Sequence, residues 1–252
     1  MKKINSLFTM FSLLIATALF SSPIYTNYGG HGHGKKGSSD TKMFVGAGVG
    51  VGMPMANFGK KDTLGGNDTT HITGWAKPGF SFHIAGGYMF SDNVGAMISV
   101  GGNMNGFDTK TFMTVNNFPS GSTVTSTSHY TGSYLVGPAF LFPIGSGSIQ
   151  LHAHVLVGLL TSKYSVITET GSIGPVSFSD THTLTPVKTF GYDAGAAILI
   201  HGFAIGLDYL GGTPKFTTET ITSGSSSSTS SGHSYAMSVG LINLSVGYVY
   251  AF

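Results

Sequence analysis

The chain of 252 residues has no cysteine and no arginine, and only 9% of its residues are charged. Without cysteine there is no disulfide framework, no thiolate nucleophile and no thiolate metal site. Without arginine, and with lysines scattered singly or in pairs, there is no basic patch, so no nucleic-acid partner is expected. Two of the twelve basic residues, Lys2 and Lys3, stand at the very start, and the ten that follow match the ten acidic ones. A soluble domain of this size carries far more surface charge. Long apolar runs are scarce too. After the stretch 7–20 no run reaches the roughly 18 residues that a spanning helix needs. An uncharged, apolar chain without spanning helices enters a membrane as a closed barrel.

What is abundant is glycine, 38 residues of it, and alternation. A positive start, an apolar stretch and Ser21-Ser22-Pro23 read as a secretory signal peptide over residues 1–22. Residues 23–42 read as a flexible periplasmic segment and 43–252 as the folded domain. In that domain eight runs alternate with period two, the signature of strands with two unlike faces. They cover 44–53, 80–90, 94–104, 130–142, 149–163, 189–200, 203–210 and 235–252. The last is the clearest: Ile242, Leu244, Val246, Tyr248, Tyr250 and Phe252 alternate with Leu241, Asn243, Ser245, Gly247, Val249 and Ala251. The bulky face suits lipid with an aromatic belt, and the smaller, partly polar face suits a narrow wet interior.

The connections carry a second, independent signal. Three are short, near 91–93, 143–147 and 201–202, and four are long, 56–77, 105–129, 164–188 and 211–234. They alternate long and short, the layout of an outer-membrane barrel with periplasmic turns and extracellular loops. Runs of about ten residues at ~3.3 Å, tilted near 40°, span about 25 Å, the height of such a barrel's apolar band. A lipocalin-like soluble barrel has the opposite polarity, apolar inside and charged outside. The expected fold is therefore all-β, an eight-stranded antiparallel transmembrane up-and-down barrel.

The leader, the eight alternating strands, the loop rhythm and the terminal Tyr248-Val-Tyr-Ala-Phe252 resemble the small outer-membrane barrels of the OmpA/OmpX/OmpW-like, opacity-type porin superfamily. The resemblance implies an outer-membrane location in a Gram-negative bacterium, with termini in the periplasm and long loops outside. It implies outer-membrane lipid as a partner, and barrel-assembly machinery that reads Tyr248, Tyr250 and Phe252 as an assembly signal. It does not single out one activity, because such barrels include adhesins, stabilising proteins, small channels and a few lipid-modifying enzymes.

Five inward positions carry the interior chemistry: His83, His152, His154, Asp193 and Asp208. Pairing Ile200 with Phe203 sets Asp208 opposite Gly195, with Asp193 its diagonal neighbour. These groups form either a satisfied polar network or a weak cation or proton path gated by histidine. The interior glycines either leave a water file or relieve crowding in a small barrel. His31 and His33 supply only two ligands, too few for a specific metal site, and no metal or cofactor is expected. His71, His129, Glu169, Asp180 and His182 fall in loops without the spacing of a catalytic triad, so no enzyme is expected. The loops themselves alternate at 123–127, 164–168, 176–179 and 216–221, which predicts strands continuing into hairpins beyond the membrane. The serine-rich stretch 224–232 reads as a mobile tip. The expected role is surface interaction with a host or surface protein, or envelope integrity; a narrow channel for small solutes or cations is the alternative.

Overall fold

A computed structural model describes residues 42–61, 72–145, 149–173, 175–223 and 226–252. The signal peptide, His31, His33 and His71 lie outside the described residues. Eight strands close a barrel: β1 Lys42–Met55, β2 Ala76–Met89, β3 Val94–Phe107, β5 His129–Ile144, β6 Ile149–Lys163, β9 Val187–Ile200, β10 Phe203–Gly212 and β13 Val239–Ala251. Neighbours are antiparallel throughout, and β1 pairs with β13 to shut the seam. The seam runs to the last residue, since the Phe252 amide donates to Met43 O and the Met43 amide donates to Phe252 O, both at 2.9 Å.

Register fixes the barrel's shape. The inward row His152, Ala197, Gly206, Ser245, Gly50, Ser81, Asn103, Thr131 passes from strand to strand and returns to β6 at Ser162. That is a shear of ten residues around eight strands, which corresponds to a tilt of roughly 40°. The two-residue turn His201-Gly202 has positive φ at both positions, 50° and 87°, the geometry whose twist matches a hairpin of this kind. Glycine also fits for packing reasons: a Cβ at Gly202 would sit 2.8 Å from the Tyr248 ring.

Polarity is inverted relative to a soluble protein. Val45, Val51, Ile84, Ile98, Val136, Val155, Ile205, Leu207 and Val246 all face outward and are exposed. Aromatic rings flank this apolar belt, with Phe80, Tyr130, Tyr134, Phe190 and Tyr192 toward the long loops and Tyr88, Phe90, Phe142, Phe203 and Phe252 toward the short turns. Only a bilayer makes such an exterior favourable. The protein is a transmembrane β-barrel.

The described parts of the long connections are structured. Two short helices, α1 Ala56–Gly59 and α2 Thr109–Val115, sit in the first two. The strands β4 Thr123–Ser126, β7 Ile167–Ile173, β8 Val176–Leu184, β11 Lys215–Ser223 and β12 Ser226–Ala236 form one sheet in the order β12-β11-β8-β7-β4. Hairpins therefore do continue beyond the barrel, and they join one another. Three expectations need correction. The eighth barrel strand starts at Val239, and Tyr235 belongs to β12, where it pairs with Phe216. Residues 226–231, expected as part of a mobile tip, pair with Ser223 back to Thr218 of β11 and belong to β12, while 224 and 225 lie outside the described residues. The third loop's strand begins at Ile167, after Ser165 has turned to donate its amide to His129 Nδ1 at 3.2 Å.

Candidate functional site

Two places in the molecule gather chemistry: the lumen and the long-loop end. In the lumen the cross-strand row His154, Gly195, Asp208 runs across β6, β9 and β10. Asp193 stands one inward position away on β9, between Leu156 and Leu210 on its two neighbours. His154 Nε2 lies 2.8 Å from Asp193 Oδ1 and 3.5 Å from Asp208 Oδ1. Gly195 makes this contact possible, because a Cβ there would sit 1.9 Å from Asp208 Oδ1 and 2.9 Å from His154 Cε1. The expected diagonal of Asp193 and Asp208 is present, with His154 as their shared partner.

His152 and His83 line the same cavity without joining that contact. The His152 ring meets His154 at 5.9 Å between centroids and Phe44 edge-on at 5.6 Å. His83 lies over Gly48, whose Cβ would come within 2.5 Å of the imidazole. The cavity holds about 100 Å³ and is lined by these histidines, both aspartates, Ser81, Ser99, Asn103, Asn243 and Ser245. Such a volume holds several waters, which are the natural partners for His152 Nε2, His154 Nδ1 and Asn243 Oδ1. The glycines act as sockets: Gly48 receives His83, Gly87 receives Phe44, and Gly191 receives Leu160. Their space is used by inward side chains of adjacent strands, so the crowding account of these glycines fits better than a continuous water file.

The expectation of a small-residue, wet interior fails toward the long loops. Leu156, Leu160, Leu210 and Leu241 point inward there and join Phe58, Trp75, Phe107, Phe112, Phe216 and Met237 in one buried cluster. These residues come from the whole rim, so their meeting fills the bore. Trp75 packs edge-on to Phe112 at 5.3 Å, and Phe107 to the same ring at 5.3 Å. His129 meets Tyr164 at 4.8 Å and Phe58 at 5.2 Å. It accepts from the Ser165 amide at Nδ1 and donates from Nε2 to Gly74 O at 2.6 Å, which assigns a neutral Nε2–H tautomer. His129 is thus a structural part of the stopper. Period-two reasoning missed Phe58, Trp75 and Phe112 because they lie outside the alternating runs, and it read Phe216 only as the start of a loop strand. The available signal was large apolar residues in otherwise Ser, Thr and Gly-rich loops.

The sheet beyond the barrel has two unlike faces. One carries Ile167, Glu169, Phe178, Asp180, His182, Glu219 and Ile221, in register across β7, β8 and β11. His182 Nδ1 lies 3.2 Å from Glu219 Oε1. Burial pushes the Glu169 carboxyl up, an effect that His182 opposes and Asp180 reinforces. The opposite face is made of hydroxyls. Thr125, Thr168, Thr181 and Thr222 form one row across β4, β7, β8 and β11. Thr123, Thr170 and Ser179 form a second, and Thr183, Thr220 and Thr229 a third. Hydroxyls meet across strands at 2.6 Å for Thr123 and Thr170, 3.1 Å for Thr168 and Thr181, and 3.4 Å for Thr220 and Thr229.

The inverted barrel with its paired aromatic girdles decides the class. The chain is a small barrel of the outer-membrane type. No protein-family model matches it, and no curated protein sequence does. Among solved structures it is similar to Ail, the attachment invasion locus protein of Yersinia pestis, with a TM-score of 0.43 and 15% identity over 83% of this chain and 99% of that one. Neisserial surface protein A gives 0.36 and 13% over 83% and 97%. The outer membrane protease OmpT from Escherichia coli gives 0.43 and 10% over 87% and 99%. At such identities and TM-scores the class rests on the barrel itself and not on these likenesses.

Proposed function

We propose that this barrel stands in the outer membrane of a Gram-negative bacterium, with its short turns in the periplasm, and works as a surface-interaction protein through the sheet formed by its long loops. The hydroxyl face of that sheet carries the reading. Loops that only cover a barrel mouth have no need of aligned Thr and Ser rows on three or more strands. A flat lattice of neutral donors and acceptors suits a polar, uncharged partner surface, and the outer strands β4 and β12 leave edges to which a partner can add a strand. The aromatic stopper weighs against the channel alternative, since a conducting state needs it displaced. Tyr248, Tyr250 and Phe252 lie together at the closing seam, with Tyr250 and Phe252 stacked at 5.7 Å, where assembly machinery would read the last strand.

The test replaces Thr168, Thr170, Thr181 and Thr220 with alanine in cells that display the barrel. Attachment to host cells or to neighbouring bacteria should fall to the level of cells lacking the protein, while the heat-dependent gel shift of a folded barrel persists. Undiminished attachment by the surface-displayed variant would remove the sheet from the adhesive role.

A further inference from the structure

Charge in the lumen does not balance with the side chains that surround it. The Asp193 and Asp208 side chains are 13% and 14% exposed, the sequence has no arginine, and among the described residues no lysine lines the cavity. His154, 12% exposed, is the shared partner of both carboxylates. One imidazolium gives a single positive charge for two carboxylates, and its one Nε2–H can be directed at only one of the two oxygens. A buried carboxylate left without a counter-charge is costly.

We propose that His154 Nε2, Asp193 Oδ1 and Asp208 Oδ1 form a binding site for a divalent first-row transition ion of the zinc type, with water completing the shell. Among the described residues this is the one group of three such side chains whose ligand atoms all lie within 4.8 Å of one another. A four-coordinate ion with bonds of about 2.0–2.2 Å places neighbouring ligand atoms ~3.3 Å apart. The observed 2.8 and 3.5 Å bracket that value. One imidazole and two carboxylates also neutralise a doubly charged ion, with the histidine neutral.

Gly195 is an independent sign that the contact is built in. It occupies the middle of the row between His154 and Asp208, and any larger residue would drive the carboxylate off the imidazole. Leu156 and Leu210, which flank Asp193 in its row, are 1% and 2% exposed and belong to the apolar cluster that fills the long-loop side. Below it, the cavity runs past His152 to Phe44, Leu199, Ala204 and Val249, near the short turns. The cavity has room for the water ligand and for waters reaching His154 Nδ1 and His152 Nε2.

The experiment uses the full chain with His31→Ala and His33→Ala, refolded in detergent, stripped of metal, and checked for folding by gel shift. Calorimetric titration with Zn²⁺ should show one ion per chain, and Co²⁺ should develop the visible absorption of a four-coordinate nitrogen and oxygen site. Asp193→Asn with Asp208→Asn should weaken Zn²⁺ binding by about 100-fold or more. Absence of Zn²⁺ binding, or binding that the Asn pair leaves unchanged, overturns the proposal. If the Asn pair does not fold, the Co²⁺ spectrum of the unaltered lumen decides, and an aquo-type spectrum overturns the site.

Discussion

At the scale of the residue, Asp108 shows how one side chain secures a loop. It caps α2 by accepting from the Thr111 amide at 3.2 Å, and it also pairs with Lys61 from the first long connection. Burial alone pushes its carboxyl up, but the hydrogen bonds from Lys61 and Thr111 and the Lys61 charge outweigh that and bring it down to about 2. A carboxylate held below its unfolded value of about 3.9 stabilises the fold fully above that value and stops doing so as pH falls through its folded one. Hydrogen-exchange protection of residues 109–115 should therefore stay constant down to about pH 4 and decline between about pH 4 and 2. In Asp108→Ala it should be lower by about 1 kcal/mol at neutral pH and flat across that window. The pairing of Asp108 with Lys61 was not legible beforehand, since the two residues are 47 positions apart and neither belongs to a periodic run.

At the scale of the element, the barrel strands and the loop strands follow the same rule to different ends. Both alternate, but the barrel strands place bulky apolar residues outward, whereas the loop strands place hydroxyls on one face and a mixed set on the other. The ends of the barrel strands are where the rule stops and tertiary packing takes over. Trp75 has φ of 52°, a left-handed conformation seldom adopted by a large side chain, and it is fully buried in the stopper. Its replacement by alanine should cost about 3–5 kcal/mol, as for other buried aromatics. In a planar bilayer the variant should also pass a small current where the unaltered barrel is silent. Silence from a folded Trp75→Ala barrel would mean that Phe58, Phe107 and Phe112 close the bore without it. The individual apolar loop residues were visible in the sequence, but their convergence was not, because they come from four separate connections.

At the scale of the whole molecule, stability depends on the bilayer accepting the exterior. Ile98, 62% exposed on β3, should lose about 2–4 kcal/mol on replacement by lysine if it lies near the midplane of the bilayer. Ala197, on the inner wall, should tolerate serine within about 0.5 kcal/mol. Urea titration of the protein refolded into vesicles measures both. An equal response at the two positions would contradict the inside-out arrangement.

Local rules acting on the sequence were enough to determine the number of strands, their order, which face meets lipid and which connections are long. Side-chain alternation and loop length are properties of neighbours along the chain, and eight runs of the right height leave a closed barrel as their solution. The candidate site was half legible in the same way: Asp208 facing Gly195 follows from a two-residue hairpin, and inward histidines follow from parity. Only the tertiary structure decided that His154 serves both carboxylates, that glycines are sockets for opposing side chains, that four loops close the mouth with aromatic rings, and that their strands merge into one hydroxyl-faced sheet. Each of these depends on the shear of the closed barrel and on contacts between segments far apart in sequence, and neither periodicity nor composition carries that information.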